Sequence, residues 1–208
     1  MRLLFVADGP LDGVTVPRLV ERILQVAVEA ETVGWARLHQ RGSGSGYGRK
    51  LRFAIRQARD GHQEGVVATV DVDRERRGRR LQELRTARAE DRATSPHLAV
   101  ALGEAYPELE AWLLDDPAAV RQAMGLEKNQ PVPTVRKAKD PKDTLEHLLS
   151  QSPRSSERPL HVWPNIAQLL EPPRCRHAKE TGFADFQDDV RSELGPLSPA
   201  ASQSHRPH

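Results

Sequence analysis

Cysteine is almost missing from this chain: Cys175 is the only one in 208 residues. A single thiol excludes an internal disulfide and any multi-cysteine zinc site. No apolar run approaches the roughly 20 residues that a membrane-spanning helix needs. Met1-Arg2 leads straight into a strand-like run without the small-residue cleavage site of a signal peptide. Together these absences point to the cytoplasm. Charge of one sign is also scarce, since the formal net charge is only +2, so general attraction to polyanions is excluded and local charge matters more. No Gly-x-Ser-x-Gly elbow occurs, and nothing in the sequence pairs with Cys175 as a nucleophile dyad. The histidines are scattered without HExxH or triad spacing, and His161, His177 and the tail histidines do not read as ligands. The glycine-rich stretch Gly42–Gly48 is followed by Arg49-Lys50 without P-loop spacing, so it reads as a flexible loop.

What is present is an alternation of strand-like and helix-like segments. Leu3–Ala7 reads as a first strand. Val16, Leu19, Val20, Ile23, Leu24 and Ala27 follow helical spacing, with Thr15 as cap and Pro17 in the first turn. Thr32–Leu38 reads as a second strand. Leu51, Ile55 and Ala58 mark a helix that stops near Gly61. Val66–Val72 gives a third strand, residues 76–92 an arginine-rich helix, and His97–Leu102 a fourth strand. Helices follow at Pro107–Leu114, Pro117–Met124, Pro141–Leu149 and Phe183–Leu194, with a polar, proline-bearing loop over Asn129–Pro141. This order predicts a parallel, three-layer α/β domain. Residues 1–125 form its core, 126–195 a helical extension packed on it, and 196–208 a disordered Pro/Ser/His-rich tail.

The third strand carries the strongest chemical signal. Gly65-Val66-Val67-Ala68-Thr69-Val70 is apolar and β-branched, which suits a strand buried on both faces. It ends in Asp71-Val72-Asp73. Side chains alternate along a strand, so Asp71 and Asp73 point the same way. Two neighbouring carboxylates repel unless a cation lies between them, and oxygen-only ligands favour a hard ion such as Mg²⁺ or Mn²⁺. The first strand also ends in an acid, Asp8, before Gly9-Pro10. Open α/β sheets place their functional crevice at the carboxyl ends of strands. One reading therefore gives Asp8, Asp71 and Asp73 a shared metal site, and the other makes them caps for the elements that follow. Asp12 suits the helix dipole. Glu108 suits a cap, while Trp112, Leu109 and Leu113 suit a core.

Several of these pieces resemble one bacterial family. Asp8-Gly9-Pro10-Leu11-Asp12 is similar to the EGPTD opening of the family called domain of unknown function 4276. Asp71-Val72-Asp73 resembles its central acidic pair. Pro107–Asp116, which reads PELEAWLLDD, is similar to its PEIEAWLLAD signature, and Asp140–Leu145 to its NPKE-type turn. The likeness runs over residues 3–194, with EAWLL its most specific part. It implies a Toprim-like fold, shared with topoisomerases, primases and small nucleases. It also implies Mg²⁺-dependent (or Mn²⁺-dependent) phosphodiester chemistry, often in defence against phage. Carried over, it makes Asp8, Asp71 and Asp73 metal-binding and catalytic residues and adds Glu110 as a catalytic partner. One departure stands out. Toprim enzymes carry Glu at the end of the first strand, whereas this chain has Asp8, one methylene shorter. Metal ligation tolerates that change better than proton transfer over a set distance does.

Just after the Asp-x-Asp, residues 74–92 hold eight arginines against four acids. Arg76, Arg77 and Arg80 cluster on the expected helix face. Beside a metal site they suit nucleic-acid phosphates, and as a salt-bridged surface they need no ligand. Two functions are expected on this basis: a metal-dependent nuclease, or a non-catalytic nucleic-acid-binding or regulatory subunit working with an ATPase partner. A structural interaction protein whose acids are caps is a third.

Overall fold

The computed structural model describes residues 1–38, 46–72, 77–95 and 97–198. Four strands, β1 (Arg2–Ala7), β2 (Glu29–Gly34), β3 (Gly65–Asp71) and β4 (Ala99–Ala105), form one all-parallel sheet in the order β2-β1-β3-β4. Helices α1 (Pro10–Leu24), α2 (Tyr47–Asp60) and α3 (Arg79–Thr94) make the crossovers. Among the described residues six more follow: α4 (Glu110–Leu114), α5 (Pro117–Met124), α6 (Pro141–Ser150), α7 (Pro159–Leu169), α8 (Ala178–Thr181) and α9 (Phe183–Leu194). The α/β, three-layer expectation holds. None of the described helices is long and apolar enough to cross a membrane.

Strand alternation sorts the core into two halves. Leu3, Phe5, Val67 and Ala101 face a cluster built with α1, α4, α5, α6, α7 and α9. Leu4, Val6, Val66, Ala68, Val70 and Leu102 face α2 and α3 on the other side. β1, β3 and β4 are buried on both faces, while β2 is a largely exposed edge. The helices after Met124 share the first cluster with the sheet. Trp112 stacks on Phe186 with ring centroids 4.9 Å apart, and its indole N–H donates to the Thr181 carbonyl at 2.7 Å.

Several boundaries differ from the sequence expectation for identifiable reasons. α1 starts at Pro10, so Pro17 lies inside it. The Gly9 N–H donates to the Asp12 carboxylate at 3.1 Å, which supplies the cap expected of Thr15. Pro17 has no N–H for the Gly13 carbonyl, and that carbonyl instead accepts the Thr32 hydroxyl at 3.1 Å. A Cβ on Gly13 would lie 2.6 Å from the Thr32 methyl, so only glycine lets α1 approach β2 this closely. β2 ends at Gly34, and Trp35–Arg37 turns into a short 3-10 segment because the Trp35 indole N–H is drawn to the Thr69 carbonyl at 2.8 Å. α3 begins at Arg79, after a turn through Gly78 at φ +86°. α4 begins only at Glu110, after the Tyr106-Pro107 bond. Helix α7 forms although Pro164 lies inside it, so the helical pattern there is weak in sequence.

β4 ends the sheet, yet its outer edge is closed by charged side chains. The Leu102 N–H donates to Asp189 at 2.7 Å, and the Val100 N–H reaches Glu193 at 3.5 Å. Arg88 donates to the Val100 carbonyl at 2.9 Å and to Asp189 at 2.6 Å. Further along, the Tyr106 N–H donates to the Thr181 carbonyl at 3.0 Å. An open strand edge is a template for pairing with another chain, and blocking it with charges is a known remedy. Asp189→Ala should therefore cost about 1–3 kcal/mol, the usual penalty for orphaning buried partners. It should also speed hydrogen exchange at the Leu102 amide. Urea unfolding with exchange by NMR checks this, and an unchanged Leu102 protection factor would show that the edge is held otherwise.

Candidate functional site at the sheet's carboxyl edge

The strand order creates one topological switch. From β1 the chain crosses to β2 on one side, while β3 takes the other. In open α/β sheets the crevice at such a point, outside the carboxyl ends of the strands, is where ligands bind. Here the two flanking strands end at Ala7-Asp8 and at Asp71. Asp8 reaches across the switch and accepts the Asp71 N–H at 2.9 Å through Oδ2. Asp8 is exposed and Asp71 half-buried.

Three more carboxylates come in behind this pair. Asp12 stands in the first turn of α1, within electrostatic reach of both Asp8 and Glu108. Burial is the main cause that pushes its carboxyl up to about 6, with repulsion from Asp8 and Glu108 adding to it. Glu108 accepts the Lys142 N–H at 2.8 Å. Burial again leads, with Glu110 and Asp140 adding repulsion, and its carboxyl rises to about 7. Glu110 is buried, accepts the Trp163 indole N–H at 3.4 Å, and is raised chiefly by burial. The DGPLD, Asp71, PELEAW and DPKD stretches, far apart in sequence, thus converge on one end of the sheet.

The expected site residues divide as follows. Asp8 and Asp71 are brought together. Asp73 and Arg76 lie outside the described residues. Among the described residues, no group of three or more His, Cys, Asp or Glu side chains is arranged to hold a metal ion. Glu110 sits in the interior beside Asp12 and Trp163, so it backs the crevice from behind. Arg77 and Arg80 do not share a helix face. Arg77 precedes α3, donates to the Lys179 carbonyl at 3.2 Å and lies over the Tyr106 ring at 5.1 Å. Arg80 turns back to donate to the Asp71 carbonyl at 2.6 Å and lies over the Tyr47 ring at 5.0 Å. Arg80 is thereby fastened to the end of β3 and borders the crevice, while Arg77 and the exposed Tyr106 form a second cationic-aromatic surface nearby.

The sequence suits Glu108 to a cap and Asp12 to the helix dipole, and Asp12 also caps α1. Their unusual proton affinity comes from elements joined only in three dimensions, although the acid-rich PELEAWLLDD run was a visible signal. Burial and the neighbouring Asp115 and Asp116 push the Cys175 thiol far up, which disfavours its thiolate form. No family model, curated protein or solved structure matches the chain.

A carboxyl raised in the folded state holds its proton more tightly there than in the unfolded chain. The stability this confers is fully present below the ordinary values of 3.8 and 4.5, and is lost as pH rises through about 6 for Asp12 and about 7 for Glu108. Asp12→Asn and Glu108→Gln, without added metal, should therefore stabilise the protein at pH 8. After allowance for solvent screening the gain is on the order of 1–2 kcal/mol, and it should vanish near pH 4. Urea midpoints at the two pH values test this, and equal gains at both would refute carboxylate repulsion as the source.

Proposed function

We propose that this chain is a cytoplasmic, Toprim-like, divalent-cation-dependent nuclease acting on DNA or RNA, serving in defence against phage. The observation that carries this reading is the meeting of Asp8 with Asp71 across the switch between β1 and β3. Acids delivered from two strands to the crevice where α/β folds bind ligands are a donor set for a hard cation. Asp8 and Asp71 would hold Mg²⁺ or Mn²⁺, with Asp73 as the third donor. Bound there, the ion supplies Lewis acidity toward a phosphoryl oxygen.

The chain's own residues supply the rest. Glu108, near pKa 7, suits proton exchange with a leaving or attacking oxygen at neutral pH. Arg80 at the crevice rim and Arg77 over Tyr106 provide positive charge and stacking faces for a nucleic-acid strand, with Arg76 alongside in sequence. Glu110, held by Trp163, acts as a positioning group behind the crevice.

A specific observation favours a second reading. Oδ2 of Asp8 is taken up by the Asp71 N–H, a capping role that needs no metal, and Asp8 reaches less far than a glutamate. The protein would then be a non-catalytic nucleic-acid-binding or regulatory subunit working with an ATPase partner.

Cleavage of single- and double-stranded DNA and RNA with Mg²⁺ and with Mn²⁺ separates the two. The nuclease reading expects weak activity in the parent, lost in Asp8→Ala and Asp71→Asn. It expects Asp8→Glu to gain if reach is limiting, since acid/base positioning is commonly worth ~10²–10⁴ in rate. No cleavage by any variant, with binding retained, favours the regulatory reading. Arg77→Gln should lower the salt slope of binding by about one phosphate contact. No binding by the parent at low salt would remove both readings.

A further inference from the structure

At the far end of α4 from Glu110 lies a second feature, separate from the carboxylate crevice. A cavity of about 450 Å³ opens between the α4–α5 junction and the segment leading into α8. That is the size of a small-molecule pocket. Its floor holds two buried acids, Asp115 and Asp116, and both are fully engaged. Asp115 accepts His177 Nδ1 at 2.7 Å and the His177 backbone N–H at 2.8 Å. Asp116 accepts the Ala118 and Ala119 N–H groups at 3.0 and 3.2 Å and the Glu171 N–H at 2.9 Å.

The groups left for a ligand are therefore of the opposite kind. With Nδ1 committed to Asp115, the His177 ring is oriented and Nε2 is its remaining nitrogen, without a hydrogen-bond partner among the described residues. Arg121, Arg174 and Arg176 line the same cavity. Arg174 pairs with Glu171 at 3.2 Å, whereas Arg121 and Arg176 have no ion pair among the described residues. The Thr134 hydroxyl adds a small donor. Leu114, Pro117 and Pro173 leave apolar wall for an organic group.

We propose that this cavity binds a small phosphate monoester, its phosphate held by Arg121, Arg176 and His177 Nε2. The two guanidinium groups donate charge-assisted hydrogen bonds to one tetrahedral anion, while Nε2 accepts the O–H of a singly protonated phosphate when the ring is neutral and donates to a phosphate oxygen when the ring is protonated. The apolar wall accounts for a volume larger than inorganic phosphate needs. The proposal is independent of the nuclease reading.

The test is calorimetric titration of the full chain with adenosine 5′-monophosphate, inorganic phosphate and adenosine. In parallel, ¹⁵N-edited NMR follows the His177 ring. The monophosphate should bind more tightly than about 1 mM and move the Nε2 resonance. Inorganic phosphate should bind more weakly at the same place, and adenosine should not bind. Arg121 and Arg176 make no side-chain hydrogen bond or ion pair among the described residues, so Arg121→Gln with Arg176→Gln should leave the melting temperature nearly unchanged. Each substitution should weaken binding about tenfold or more, since each removes a charge-assisted bond. Asp8→Ala should bind as the parent does, which keeps failure here distinct from failure at the crevice. Absence of monophosphate binding near 1 mM, affinity that survives the double arginine substitution, or equal affinity for adenosine overturns the proposal.

Discussion

The four strands among the described residues all run in one direction, and that constraint governs the rest of the fold. A parallel strand cannot return by a tight turn, so each connection must cross over through a helix. Every strand then ends at the same edge of the sheet. Whatever follows a strand in sequence is delivered there: Asp8 after β1, Asp71 at the end of β3, and Glu108 shortly after β4. The order β2-β1-β3-β4 opens a gap between the helices that leave β1 and β3, and it is across this gap that Asp8 meets the Asp71 backbone. Carboxylates crowded into a partly dry space hold protons at unusually high pH. The raised values of Asp12, Glu108 and Glu110 therefore follow from topology as much as from composition.

The same constraint leaves open edges, and the chain treats them differently. β2 is exposed and carries Glu29 and Glu31, so charge guards it. β4 is buried, and its outward backbone groups are met by Arg88, Asp189 and Glu193. Those side chains belong to α3 and α9, so closing the edge also joins the C-terminal helices to the sheet. Gly182, at φ +82°, makes the final approach possible, because a Cβ there would lie 2.1 Å from the Glu104 carbonyl. The region after Met124 is consequently a wall of the domain, and it also carries one side of the His177 cavity.

Short α4 ties the two candidate sites together. Glu110 at its start leans toward the crevice, and Asp115 just past its end orients His177. Between them Ala111, Trp112, Leu113 and Leu114 are fully buried. One acid-flanked apolar segment thus sets both a carboxylate cluster and an anion-seeking cavity at its two ends.

Local pattern alone determined the parallel α/β class, β1, β3 and the extents of α5 and α9. These segments have clear periodicity and proline or glycine at their ends, and their neighbours do not contradict them. It also marked Asp8 and Asp71 as acids at strand ends. Tertiary structure decided the rest. Pro17 stays inside α1 because Thr32 satisfies the carbonyl that it orphans. Arg80 leaves its expected face because the Asp71 carbonyl and the Tyr47 ring lie within its reach. Glu108 gains its proton affinity chiefly from burial, with Glu110 and Asp140 adding repulsion, and His177 gains a fixed ring from Asp115, 62 residues away. A strand or helix signal is local, so it can be read from a few adjacent residues. A proton affinity or an oriented imidazole depends on groups distant in sequence, and only folding brings those together.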